Sequence, residues 1–447
     1  MLGETKAQDI LKRVLSMVEA DQAEAILMGG SSALTRFANS TIHQNVFEKD
    51  NVVYLRVAKG KKIGVATSNM TDDESLKALA KKAGEIAEAQ VPNPDFEGFA
   101  KSERAAKVDA FFPETLECSP QRRAENVKAV VDAAARFNFL AAGSHSTSAT
   151  EVAFLNTLGT QQYHKYTSAF MNTVIMAPTS SGYADSSCLN IADFDPAAVG
   201  EEATRTCAES QNPREIEEGQ YDVVITHYAL DSLMMWLSYI GLGADSFQDG
   251  RSFMTGNLGK SIMGKNISIW DDGMDPTGVP MPFDFEGVPK QRVNMIEDGV
   301  AKAVVYNTIT AKKGGTTSTG HALSPDEDIA ALPINMFFST GENTEEEMIA
   351  SMERGLFVRR FHYVNGLLAT RKALFTGMTR DGTFLVENGK IKHPVKNLRF
   401  THSMLDAFSN VEMITSKANL HISDWLGASV VPGLKIKGFN FSGKTEF

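Results

Sequence analysis

The chain has 447 residues, 43% of them hydrophobic and 22% charged, with a formal net charge of -11. One hydrophobic core stops growing near roughly 250 to 300 residues, so two or more domains are expected, and the ordinary composition excludes a disordered or fibrous chain. The acidic balance repels a phosphate backbone, and no apolar run approaches the ~20 residues that span a bilayer, so neither nucleic acid nor membrane is an expected partner.

From Thr5 an amphipathic helix carries Ile10, Leu11, Val14, Leu15 and Val18 on one face and ends near Ala20 and Asp21. Strand-like runs follow at Ala23 to Met28, Ser31 to Phe37 and Val52 to Val57, the last turning at Lys59-Gly60 into Ile63 to Thr67. Asp72-Asp73-Glu74 opens a second helix, with acidic groups at the positive end of its dipole; Leu76, Leu79, Ala80, Ala83 and Ala87 keep its period until Pro92 and Pro94 stop it. Residues 1–92 thus read as an N-terminal α+β domain. Residues 91 to 100 form a linker, and a third helix starts at Ser119-Pro120, an N-cap followed by a proline that needs no amide donor. Alternating segments from Leu140 to Ala177 imply a second sheet or an extension of the first. A helix from Pro196 to Ser210 leads to a boundary at Asn212-Pro213, so residues 93–215 are a middle α+β region continuing the N-terminal half.

The third unit, 216–447, opens with the buried-strand run Val223-Val224-Ile225 and a helix whose Leu230, Leu233, Met234 and Leu237 share one face. A glycine-rich polar loop from Gly241 to Ser252 and a short strand at Ile267 to Trp270 come next. Beyond these, helices are expected only at Thr344 to Met352, with a capping-box spacing between Thr344 and Glu347, and at Thr401 to Phe408. The remainder alternates short apolar runs with Gly, Asp and Asn: Val300 to Thr308, Ile334 to Ser339, Leu356 to Asn365, Thr383 to Glu387 and Leu434 to Phe441. The fold class is α+β: an N-terminal region of antiparallel sheet and helices, then a mainly β domain that is barrel-like or a strongly curved mixed sheet.

Four passages of this last domain, GRSFMTGNLGKSI with its DDG, FDFEGVPKQ, STGHA and FTGMTRDGTFLVENGKIKHPVKNLRFT, occur in the order found in the TldD/PmbA family. RFANSTIHQ, GKKIGVATSNMTDDE and EVAFLNTLGT in the first half resemble it too, so the likeness runs collinearly through almost the whole chain. That resemblance implies a peptidase-like, dimeric protein. Its catalytic branch, TldD, carries HExxxH on the helix after the first strand of this domain, two imidazoles binding zinc and the glutamate acting on metal-bound water. Counting back from GRSFM, those six positions hold Met235, Trp236, Leu237, Ser238, Tyr239 and Ile240, none of them a zinc ligand, and no histidine in the chain is followed by glutamate. The C-terminal cysteine ligand of that branch also lacks a counterpart, because the three cysteines, Cys118, Cys188 and Cys207, all precede this domain. They match no metal-ribbon spacing and read as reduced thiols, and MLGETKAQDILKRV has no signal-peptide pattern, so a cytoplasmic location is expected.

No catalytic or metal-ligating residue and no cofactor is therefore assigned. Arg251-Ser252 and Gly320-His321 lie in glycine-rich loops whose amides can receive an extended peptide, although tight turns alone also account for those glycines. Arg380, in Thr379-Arg380-Asp381-Gly382, reads equally as a peptide contact or as part of a turn with an internal ion pair. His227 and Asp231, at i and i+4, have ligand spacing but no third ligand and read as a surface pair. Asp271-Asp272 reads as a strand-ending turn. The favoured function is a non-catalytic, TldE/PmbA-like subunit that holds an unfolded or extended peptide for cleavage by a zinc-bearing TldD-like protomer. A stand-alone homodimer that binds peptides or another ligand without hydrolysis is the alternative, and an enzyme of different chemistry the least favoured.

Overall fold

The computed structural model describes residues 1–423 and 427–445. In the first half, strands β1 (Gln22–Ala38), β2 (Thr41–Lys59), β3 (Lys62–Ser68), β4 (Leu140–Asn156), β5 (Gln161–Ala177) and β6 (Ser180–Cys188) form one antiparallel sheet in the order β3-β2-β1-β4-β5-β6. The strands from 140 to 188 thus widen the sheet begun at Gln22, and no second sheet is founded there. The two runs expected before residue 38 are a single strand, because Gly29 and Gly30 stay paired to Asn51 and Thr150. A Cβ at Gly30 would lie 2.0 Å from the Ala149 carbonyl oxygen, so the glycine lets two strands approach rather than turning the chain.

Helices α1 (Glu4–Ser16), α2 (Asp73–Ala89), α3 (Pro113–Leu116), α4 (Pro120–Ala135) and α5 (Pro196–Glu209) belong to this half. Strand alternation decides what each face of the sheet meets. On one face, Ala23, Ala25 and Leu27 meet α1 and α2, and Phe37, Ala141, Met171 and Ala184 meet α4 and α5; the opposite face, with Ile26, Val152 and Phe154, is left to the second half. Asp72 and Ser119 cap α2 and α4 as their sequences imply, accepting the Ser75 and Arg122 amides at 3.0 and 3.1 Å.

The second half contains β7 (Gly219–Ile225), α6 (His227–Leu237) with a π-helical turn at Ser238–Leu242, α7 (Ala244–Gln248), β8 (Ile269–Asp271), β9 (Val293–Glu297) and β10 (Val300–Ala301). Then come α8 (Thr308–Lys313), β11 (Asn335–Phe338), α9 (Glu345–Ala350), β12 (Arg354–Ala369), β13 (Leu374–Glu387), β14 (Lys390–Pro394), β15 (Leu398–Ser403), α10 (Met404–Ser409), β16 (Val411–Ser423) and β17 (Gly427–Lys444). Their strands make an 11-stranded mixed sheet in which β7 pairs parallel to β12 and antiparallel to β17. That double pairing curls the sheet around Phe361, Phe400 and Phe439, whose rings stand 4.6 to 5.8 Å apart. Side branches through β8, β11, β14 and β16 keep it a curved mixed sheet rather than a true barrel.

Three local expectations shift, the first where α7 forms inside the stretch from Gly241 to Ser252 expected as a polar loop. The helix expected from Thr401 starts at Met404, because Leu398–Ser403 pairs with β13 and β17. Val300 to Thr308 yields only a two-residue strand, and α8 follows, started by a capping box between Asn307 and Thr310. The capping box at Thr344 and Glu347 is formed as read.

Two of the seams where the halves meet bear on the candidate site. In the apolar one, Ile26, Val152 and Phe154 pack on Met281 and Phe283, and Gly287 (φ 72°) passes so close that a Cβ would lie 2.5 Å from the Phe154 ring. Beside it the Arg56 guanidinium bridges Glu24 and Glu286. Burial raises Glu24 to about 8 in spite of Arg56, and its Oε2 has no hydrogen-bond partner among the described residues. The other seam is charged and borders the candidate site.

Candidate functional site

A groove runs between the helix-free face of the first sheet and the second half. Register places Gly30 opposite Thr150, Ser32 opposite Ser148, Ser148 opposite Ser168 and Thr150 opposite Tyr166, all on the face that Val152 and Phe154 share. The floor is therefore small and rich in hydroxyls, with Ser148 Oγ and Ser168 Oγ 2.7 Å apart. A cavity of about 280 Å³ lies between this floor and Met281, Ile334 and Ile422. A second cavity of about 280 Å³ shares Ser148 and Thr150 and continues over Gly30 and Ser32 to the carboxylates of Glu48 and Asp50. Together they form a trough with a polar floor, an apolar wall and an acidic open end.

Near the Ile422 wall the charged seam begins, where the Ile422 amide donates to Ser187 Oγ at 3.2 Å. His421 Nδ1 is 3.3 Å from Asp185 Oδ1 and its Nε2 2.9 Å from His227 Nδ1. Tyr183 donates to Asp185 at 2.7 Å, Tyr228 to Glu202 at 3.2 Å, and Glu202 pairs with Arg359. Burial opposes charge on His421, but the Asp185 and Asp231 carboxylates outweigh it and raise the pKa to about 9. Burial and the neighbouring His421 cation push His227 well down. For Asp185, burial is overcome by His421 and the Tyr183 hydroxyl, which hold the carboxyl below its usual range. His421 is thus an imidazolium donating to Asp185 and to a neutral His227. This corrects the surface-pair reading of His227 and Asp231: the first bonds His421 and the second accepts Ser429 Oγ at 2.6 Å.

The end of α6 backs onto the groove wall. Ser238 Oγ donates to the Pro333 carbonyl at 3.4 Å, one residue before Ile334. Across Met235 to Ile240 the side chains are thioether, indole, alkyl, hydroxyl and phenol, with Leu237 and Ile240 in the hydrophobic core. This donor set does not fit a zinc ion, which takes imidazole, thiolate or carboxylate. Among the described residues no three His, Cys, Asp or Glu side chains gather at metal-binding distances. Nor is any helix among them long and apolar enough to cross a membrane.

Residues 218–443, just over half of the chain, match the family description "PmbA/TldA metallopeptidase C-terminal domain", and residues 23–87 match "PmbA/TldA metallopeptidase domain 1". This chain belongs to the TldD/PmbA family. It is 24% identical to the metalloprotease PmbA of Escherichia coli O157:H7 over 92% of this chain and 90% of that protein. With a metalloprotease TldD homolog of Haemophilus influenzae it shares 27% identity over 41% of this chain but only 38% of that protein's length. The structure superposes on TldE from Thermococcus kodakarensis with a TM-score of 0.88 at 18% identity, covering 98% of this chain and 99% of that one. A Thermotoga maritima structure described as a putative modulator of a DNA gyrase gives 0.88 at 19% identity, covering 97% and 100%. At such identities the structures establish a shared fold.

The TldD/PmbA motifs singled out in the sequence do not converge on one place. Arg251 is exposed and pairs with Asp249, while Ser252 is buried, donating to the Gly241 carbonyl at 2.7 Å and holding its loop. Gly320 (φ 74°) is buried where a Cβ would lie 2.5 Å from the Pro289 carbonyl oxygen. His321 is buried too, with Nε2 2.9 Å from Asp271 Oδ1 and Nδ1 2.9 Å from the Thr319 carbonyl. Ser252, Gly320 and His321 are thus buried, and the bonds of Ser252 and His321 fix their own loops. Asp271 ends β8, and Asp272 Oδ1 accepts the Met274 amide at 2.9 Å, making the turn that its sequence implies. Arg380 lies in β13 and not in a turn, because Thr379-Arg380 pairs with β12. Asp381 beside it bonds Arg360 at 2.7 Å, whereas Arg380 stands 4.0 Å away. Sequence reasoning missed His421, Asp185 and the Ser148 to Ser168 floor. The alternating serines of Ser144-x-Ser146-x-Ser148 were the available signal for the last.

Proposed function

We propose that this chain is a TldE/PmbA-like subunit that grips an extended peptide in the groove and presents it to a zinc-bearing TldD-like protomer, which cuts it. What supports this reading is a trough with a hydroxyl floor and an apolar wall, whose Ile334 follows the Pro333 bonded by Ser238, together with the absence of any zinc ligand at Met235 to Ile240. Hydroxyls of Ser148, Thr150 and Ser168 suit the amides and carbonyls of an extended backbone, and Met281, Ile334 and Ile422 receive its apolar side chains. Glu48 and Asp50 favour a basic segment at the open end. Arg251 and Arg380, the two exposed candidates from the sequence, lie outside the groove and serve as secondary contacts. The protein acts in the cytoplasm, as a heterodimer with its partner.

Mixing the purified chain with the TldD-like protein of the same source is expected to give a larger species in size-exclusion chromatography that degrades casein or short peptides. Ser148→Trp, which fills the floor, is expected to abolish peptide degradation while leaving that species intact. Chelator-sensitive hydrolysis by the chain alone would overturn the proposal. Peptide binding with no association to the partner would replace it with the stand-alone homodimer.

A further inference from the structure

Away from the groove, and sharing none of its residues, a cavity of about 550 Å³ opens where the start of β6 meets the ribbon of β12 and β13. Both ribbon strands are irregular here: their register slips between Val358 and Arg360 and again between His362 and Asn365. On the cavity wall Tyr363 (φ 50°) adopts the left-handed conformation that a bulky residue avoids, and Asp381 (φ 53°), of a type that tolerates it, does the same. Tyr363 is also 77% exposed, so no packing of its ring accounts for the conformation. Backbone strain of this kind concentrates where a ligand is handled.

The charges are unequal in their occupation. Asp381 is saturated, accepting Ser181 Oγ at 2.6 Å on one oxygen and Arg360 at 2.7 Å on the other. Arg360 is further engaged over the Tyr183 ring at 3.8 Å. Lys396 is held by Glu215 at 3.1 Å. The Arg380 guanidinium, 4.0 Å from Asp381, makes no hydrogen bond among the described residues, and the side chain is 47% exposed. Three cations thus face two carboxylates, and the surplus charge sits on the guanidinium with free donors. Two wall hydroxyls, Ser210 and Thr383, are 7% and 2% exposed and have no hydrogen-bond partner among the described residues. Buried hydroxyls are rarely left this way. Met378, Val395 and the Tyr363 ring supply an apolar side to the same space.

We propose that this cavity binds a small carboxylate carrying an apolar group, with Arg380 taking the carboxylate, Ser210 and Thr383 gaining the partners they lack, and the apolar group resting on Tyr363, Met378 and Val395. A free organic acid and the C-terminal residue of a peptide both present this chemistry. A guanidinium reads a carboxylate through two parallel donors, which an amide cannot reproduce.

Calorimetric titration of the intact protein with 4-methylpentanoate, its primary amide, and the peptide Ala-Ala-Ala-Leu with a free or amidated C-terminus tests this. Saturable binding of at least one free-carboxylate probe is expected, with its amide at least about tenfold weaker. Binding of the peptide alone identifies a chain terminus as the source of the carboxylate, and binding of both admits free acids. Arg380→Gln is expected to weaken binding about tenfold or more, Arg380→Lys to retain part of it, and Thr383→Val to weaken it less. Arg380 is exposed, so its variants should melt with the parent protein, which keeps a loss of binding distinct from unfolding. Equal affinity for acid and amide, unchanged affinity in Arg380→Gln, or no saturable binding of any probe overturns the proposal. Because the groove contributes no residue here, Ser148→Trp should leave these affinities unchanged, separating failure of this inference from failure of the peptidase-subunit reading.

Discussion

The apolar seam at Phe154 and the charged seam at His421 join the same two halves, yet they answer to different variables. Phe154, Phe283 and Ile26 hold by burial, a force that does not titrate. Asp185, His421 and Glu202 with Arg359 hold by charge, and their strength depends on protonation. The apolar contacts therefore hold the Phe154 end of the groove at any pH, with Glu24 the titrating group beside them, while the contacts next to Ile422 are themselves loosened by solution conditions.

The largest loss of stability is expected on the apolar side. Phe154→Ala empties a fully buried site and is expected to cost about 3–5 kcal/mol in urea unfolding, independent of pH. Asp185→Asn, which takes from the His421 imidazolium the nearer of its two carboxylates, is expected to cost about 1.5–3 kcal/mol near neutral pH. The seams then separate by pH. The His421 pKa is raised from 6.5 to about 9 in the folded protein, so its contribution is complete below about pH 6.5 and is lost as pH climbs through about 9. Thermal melts across that window should show Tm falling, with a shallower slope in His421→Gln and an unchanged slope in Phe154→Ala. Glu24, raised from 4.5 to about 8, adds a decline of the same sign beginning at lower pH, which Glu24→Gln should remove. The smallest effect serves as a control: Ser119→Ala, which removes the cap of α4 outside both seams, is expected to cost about 1 kcal/mol with no pH dependence.

What could be read from the letters was local. Ser119-Pro120, Thr344 with Glu347 and the turn at Asp271-Asp272 each act within a few residues, so their caps and turns were legible. The groove was not, because its floor is assembled by pairing Gly30 with Thr150 and Ser148 with Ser168 across strands. His321 shows the same limit. Its glycine-rich surroundings resembled an exposed loop, and only the fold brings Asp271 to its Nε2. The apparent break at Gly29-Gly30 misled for a different reason, since glycine marks close approach as often as it marks a turn.

The pairing of β17 with β7 also orders events in time. Gly427–Lys444 is made some two hundred residues after its partner strand, so the curled sheet cannot close until that segment has left the ribosome, whereas Gln22 to Cys188 can complete their own sheet well before. During synthesis the finished half waits beside an open one, with Val223 and Ile225 uncovered on one side, and a chaperone that shields nascent apolar strands would find its substrate there.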